Sequence, residues 1–296
     1  MQPPRLPRPD LAALNITYRR IPLLSINNDI YLDSRLIIDT LERRYPSSSL
    51  TPQLASDKAT ATLLRHYTVS AGVFERAAQC MPLDLPLLKD PKFEADRTAF
   101  SGRSWGKDAM RKARPEALVN MRDAFAFMED VVLADGRSWV CGGEKLTMAD
   151  VEASWVFQWV GSFRDKEVDA VLGKVVFPKV AAWVERFEKA VKEARGRGPK
   201  VASVKGKEVL EFVEKVGKEG RAELKVDEKD PLGFKEGEEV EVWPIESGFT
   251  HRDRGRLVGL TKEEIVVAKK LESGSEIRIH APRVGFRVAK AKASKL

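Results

Sequence analysis

The first fifty residues change their hydrophobic period once. Tyr18-Arg19-Arg20-Ile21-Pro22-Leu23-Leu24-Ser25-Ile26 alternates as a strand does, Asn27-Asn28-Asp29 carries turn chemistry, and Ile30-Tyr31-Leu32 supplies a second short strand. From Asp33-Ser34 onward Leu36, Ile37, Ile38 and Leu41 recur at helical spacing, with a polar N-cap candidate ahead and Tyr45-Pro46 behind. The pattern predicts a hairpin followed by a helix. The lead Gln2-Pro3-Pro4-Arg5-Leu6-Pro7-Arg8-Pro9 loses four amide donors to proline and reads as a loop.

Residues 51–200 read as an all-helical domain, with amphipathic helices over 58–79, 114–133, 149–163 and 177–194. Leu146-Thr147-Met148-Ala149-Asp150-Val151 predicts a helix start at Met148. Thr147 can cap the first turn, Asp150 can return a bond to the Thr147 amide, and Leu146 can staple onto Val151. Thr147 and Asp150 are thus structural capping residues. Ala153-Ser154-Trp155-Val156-Phe157 is apolar nearly all round, which suits a buried helix.

Arg195-Gly196-Arg197-Gly198-Pro199-Lys200 breaks the helical pattern and marks a boundary, with a short helix over 206–216 behind it. From about residue 223 the period becomes two. Val240–Trp243, Arg256–Leu260, Ile265–Ala268, Ile277–His280 and Gly285–Val288 predict five short strands, and a small antiparallel barrel-like module over 205–296 with a basic tail at 290–295.

Composition narrows the function classes. The formal charge is +7, but the basic excess is spread along the chain, so a dedicated nucleic-acid surface is not expected. Cys80 and Cys141 lack CxxC spacing, and His66, His251 and His280 share no ligand spacing, so neither a disulfide framework nor a metal centre is expected. No apolar run is long enough to span a bilayer, and the start lacks a signal-like core; the expectation is a cytoplasmic protein without a membrane partner.

The segment from Tyr18-Arg19-Arg20-Ile21-Pro22 through Ile30-Tyr31-Leu32-Asp33-Ser34 to Leu41-Glu42-Arg43-Arg44-Tyr45-Pro46 resembles the second half of a glutathione transferase thioredoxin-like domain. Leu146–Val151 and residues 177–187 resemble two helices of the transferase helical domain. The resemblance covers roughly residues 1–195 and is closest to fungal transferase-like proteins with an additional C-terminal domain. It implies a multidomain α+β chain: a partial thioredoxin-like segment over 1–50, the helical domain over 51–200 and the β module over 205–296.

By the same resemblance, Pro22 corresponds to the family's cis-proline, where the backbone of Ile21 pairs with the cysteinyl amide groups of glutathione. Asp33 and Ser34 correspond to the acid-Ser pair at the γ-glutamyl end: the hydroxyl and helix N-terminus suit a carboxylate, and the acid faces the ammonium. Arg5, Arg8, Arg19 and Arg20 are further candidates for ligand carboxylates or for a dimer partner. The resemblance implies conjugation of glutathione, as co-substrate, to a hydrophobic electrophile, with a homodimer as the candidate assembly. Its activating Tyr, Ser or Cys lies in a first strand-helix unit, and Met1 falls in what resembles the loop after that unit's second strand. The catalytic residue is therefore unassigned, with Tyr18, Tyr31 and Ser25 as replacement donors, and low activity is expected. The competing expectation is a non-catalytic interaction protein that dimerises through the transferase fold and recruits a partner through the β module. There Trp243, Phe249 and Phe286 are interleaved with Arg252, Arg254, Arg256, Arg283 and Arg287.

Overall fold

The computed structural model describes residues 5–215 and 223–291. Gln2, Pro3 and Pro4 of the lead, the expected helix end at Val216 and the tail beyond residue 291 lie outside the described residues. In chain order the elements are α1 (Pro9–Ala13), β1 (Leu23–Ile26), β2 (Asp29–Leu32), α2 (Ser34–Arg44), α3 (Ala55–Val69), α4 (Val73–Gln79), α5 (Pro91–Ser101), α6 (Lys107–Ala126), α7 (Met148–Gly161), α8 (Lys166–Leu172), α9 (Pro178–Arg197), α10 (Gly206–Lys215), β3 (Glu239–Pro244), β4 (Asp253–Leu260), β5 (Glu264–Lys270), β6 (Glu276–Pro282) and β7 (Phe286–Lys290). They form two compact units, one of Met1–Tyr45, Pro91–Ser104 and Ala202–Leu296, the other of Pro46–Asp90 and Trp105–Val201.

The first unit is built on a seven-stranded mixed sheet of order β1-β2-β6-β5-β4-β3-β7. The hairpin is antiparallel, and β2 then runs parallel to β6, with Asp29, Ile30 and Tyr31 opposite Arg278, Ile279 and His280. The two segments expected to be separate, 1–50 and a barrel in 205–296, therefore share one sheet and one unit. Backbone amides and carbonyls along an open strand edge need partners, and β6 supplies them to β2. Leu14, Ile16, Tyr18, Ile30 and Leu32 enter the same core as Val240, Val242, Leu257, Ile277 and Ile279, with Val213 of α10. The expected strand over 18–26 begins only at Leu23, because Arg19 and Arg20 turn into ion pairs.

The second unit is helical. The single helix expected over 58–79 divides into α3 and α4 at Gly72, whose φ of +85° lies in the left-handed region. Pro115 sits within α6, which continues through a π-helical turn at Phe127–Val132. The nearly fully buried face of α7 carries Ala149, Ala153, Val156, Phe157 and Val160. α3 is tied to α7 by an Arg65–Glu152 ion pair of 2.7 Å, and buried Arg114 of α6 bonds to the Cys80 carbonyl and to Asp165. The sequence pattern missed α1, which begins at Pro9 of the lead read as a loop, and also α5 and α8; α5 belongs to the first unit, where its Asp96 holds Arg19 at 2.6 Å.

Candidate functional site

The hairpin register brings together two dipeptides whose nearest members, Pro22 and Asp33, are eleven apart in sequence. Leu23 is opposite Leu32, so Ile21-Pro22 and Asp33-Ser34 both lie just beyond the same open end of β1 and β2. At the closed end Asn27 adopts φ +55°, and the Ser25 hydroxyl donates to the Asn27 carbonyl at 2.9 Å. The Ile21–Pro22 bond is cis. Ile21, Pro22 and Ser34 are exposed and Asp33 is half-buried. Asp33 is the N-cap of α2: its φ is +70°, and its Oδ1 accepts the Arg35 amide at 3.1 Å. Ser34 is the first residue of the helix, where unpaired amides and the macrodipole favour an anion.

Arg20 binds this end of the hairpin to the loop after β3. Its Nε donates to the Ser247 carbonyl at 3.1 Å, and its Nη1 lies 3.4 Å from Asp33 Oδ2 and 3.5 Å from Glu246 Oε2. Nη2 is buried without a partner, as is the hydroxyl of Tyr18. Burial pushes the Tyr18 phenol far up, and the charge of Asp33 adds to the effect. The other candidate arginines differ. Arg19 pairs with Asp96, whereas buried Arg8 donates to the carbonyls of Tyr18 and Arg20.

The remaining candidate donors stand apart from this end. Tyr31 stacks on His280 with ring centroids 4.4 Å apart, and Ser25 is engaged in the turn. Cys80 is buried, and burial pushes its thiol up to about 11; burial also raises the Cys141 thiol. Asp150 of α7 is fully buried and accepts four bonds, from the amides of Thr147 (2.8 Å) and Val140 (2.9 Å), from the Thr147 hydroxyl (3.2 Å) and from Trp183 Nε1 (2.9 Å).

One cluster had no signal in the sequence. Asp29 Oδ1 and Oδ2 receive the Arg278 guanidinium, and His280 lies between the two carboxylates, with Nδ1 2.9 Å from Glu264 Oε2 and Nε2 3.4 Å from Asp29 Oδ1. Burial alone would lower the His280 pKa, but its carboxylate neighbours raise it. Burial would likewise raise Asp29, but the bonds from Arg278 and the neighbouring His280 ring hold it down at about 2. A half-open cavity of about 630 Å³ lies on the face of β4 and β5, lined by Arg252, Arg254, Arg256 and Lys270 among others; it does not include Pro22, Asp33 or Ser34. Among the described residues no group of three or more His, Cys, Asp or Glu is placed to hold a metal ion, and no helix is long and apolar enough to cross a membrane.

Residues 2–49, which contain the hairpin and α2, match the family model of the glutathione S-transferase N-terminal domain. A GST-like protein from Pseudomonas syringae superposes with a TM-score of 0.65 at 21% identity, over 98% of this chain and 88% of that one. The fold is glutathione transferase-like. The chain also matches, over residues 76–196, the model of a domain of unknown function, DUF7962. Two glutathione S-transferases align over less of its length. That from Actinobacillus pleuropneumoniae has TM-score 0.36 and 19% identity, covering 57% of this chain and 64% of its own; that from Rhodospirillum rubrum has 0.39 and 17%, covering 57% and 66%. None of the curated proteins matches.

Proposed function

We propose that this chain binds glutathione at the open end of the β1–β2 hairpin. The Ile21 backbone beside cis-Pro22 pairs with the cysteinyl amide groups. The Ser34 hydroxyl and the N-terminus of α2 receive the γ-glutamyl carboxylate, and Asp33 faces its ammonium. The observation that carries this reading is the pairing of Leu23 with Leu32, which sets Pro22 and Asp33 side by side at one strand end. These residues fit the peptide chemically: exposed backbone for its amides, a helix N-terminus for an anion and a carboxylate for a cation. Calorimetric titration with glutathione tests the reading. Binding should be measurable, and Ser34→Ala should weaken it about tenfold, the effect of a lost bond to a charged group; no binding by the unaltered chain would refute the proposal.

For the reaction, the same reading gives weak or no conjugation of a hydrophobic electrophile by this chain. The supporting observation is that Ser25 and Tyr31 are engaged elsewhere and both thiols are raised rather than lowered. Thiolate activation needs a donor or positive field at the sulfur. Robust turnover of a chloronitrobenzene with glutathione would contradict this part while leaving the binding proposal standing.

A further inference from the structure

Two carboxylates, contributed by segments 213 residues apart in numbering, Asp33 and Glu246, share a single guanidinium nitrogen. Both distances, 3.4 and 3.5 Å, exceed the roughly 2.7–2.9 Å of a charge-assisted bond, and the better bond of Arg20 goes to the neutral Ser247 carbonyl. The group of three therefore carries one net negative charge that Arg20 does not compensate. Beside it lies Tyr18, 2% exposed, whose hydroxyl has no partner. Its phenol is raised first by burial and then by Asp33, with Glu246 adding and Arg20 opposing, which puts all four groups in one electrostatic neighbourhood.

The loop that carries Glu246 is held firmly. The Ile245 amide donates to the Gly285 carbonyl at 3.0 Å, and the Gly248 amide to the Phe100 carbonyl at 2.7 Å. Gly248 has φ +72°, and a Cβ there would meet the Phe100 ring at 3.1 Å, so the turn requires glycine. The Glu246 side chain is 40% exposed and can be reached from solvent.

A free anion at this place would meet two carboxylates, whereas a group bearing an ammonium supplies the missing charge and three N–H donors. We propose that Glu246 completes the ligand site: with Asp33 it receives the α-ammonium of the γ-glutamyl group, the Tyr18 hydroxyl takes the third N–H, and Arg20 is the positioning residue that keeps the two carboxylates together. The ligand class is a γ-linked amino acid with a free α-amino group, and its recognition joins the C-terminal strands to the hairpin. This inference rests on the glutathione reading above.

The test compares glutathione with its deamino analogue, in which glutaryl replaces γ-glutamyl, by calorimetry on the full chain and on Glu246→Gln, with circular dichroism as the check on folding and Glu246→Asp as a second variant. The expected result is a loss of about tenfold in glutathione affinity for Glu246→Gln, a partial recovery in Glu246→Asp, and no change for the deamino analogue, which already binds the unaltered chain more weakly. Unchanged glutathione affinity in Glu246→Gln, or equal losses for both ligands, overturns the role of Glu246 while the glutathione reading stands. Absence of glutathione binding by the unaltered chain overturns both.

Discussion

At the scale of single residues, the buried charges decide more than their number suggests. His280 has its pKa raised by Asp29 and Glu264, so the charged ring is bound better in the folded chain than in the unfolded one, where His titrates near about 6.5. Its stabilising contribution is then complete below about pH 6.5 and is lost as pH rises through the higher folded value. Asp29 works in the opposite sense: held down at about 2, it contributes above its ordinary range near about 3.9 and is lost as pH falls towards 2. Urea unfolding between pH 6 and 9 should show a decline in stability that His280→Asn flattens; identical pH profiles for the two proteins would refute the assignment. Asp150 poses a simpler problem. Its replacement by Ala strands two amides and an indole N–H in a fully buried place, and a loss of about 3 kcal/mol or more is expected from urea midpoints.

Elements show what was legible in the sequence and what was not. The five C-terminal strands, α2 and the start of α7 at Met148 follow from period and capping chemistry, which depend on residues a few positions apart. α5 escaped that reading because its defining partner is distant: Asp96 meets Arg19, which lies 77 residues earlier, and of the residues in α5 only Phe93 is buried. The same ion pair explains the shortened first strand. The candidate site was half legible: Pro22, Asp33 and Ser34 carry a local signature, whereas Arg20 reads as part of an ordinary basic run until Ser247 and Glu246 arrive from the far end of the chain. Gly72, which ends one helix and begins the next, gives an element-scale prediction. No atom lies within 4 Å of an added Cβ, so Gly72→Ala suffers only the left-handed backbone, about 1 kcal/mol, readable as a small fall in melting temperature with unchanged helical content.

For the molecule as a whole, the decisive feature is a seam that no local pattern encodes. Alternation tells which face of a strand is apolar, not which strand lies beside it, so the parallel pairing of β2 with β6 across 249 residues had no sequence signal. That seam lies within one compact unit and is crossed by the buried Asp29–Arg278 pair as well as by the ladder. Asp253 of β4 reinforces the same union, since it accepts the Thr17 and Tyr18 amides and pairs with buried Lys269. If the C-terminal strands were an independent module, removing Arg278 would harm only that module. If they share a sheet with the hairpin, Arg278→Met strips buried Asp29 of its guanidinium partner and leaves only the His280 ring beside it, a loss of about 3 kcal/mol, whereas Asp29→Asn, Arg278→Met together removes the stranded charge and recovers a large part of it. A double-mutant cycle by urea unfolding reads this coupling directly. Additive effects of the two substitutions would refute a shared seam. Coupling of 1 kcal/mol or more, with any glutathione affinity of the double variant tracking the recovered stability, would establish that the open end of the hairpin depends on the far end of the chain.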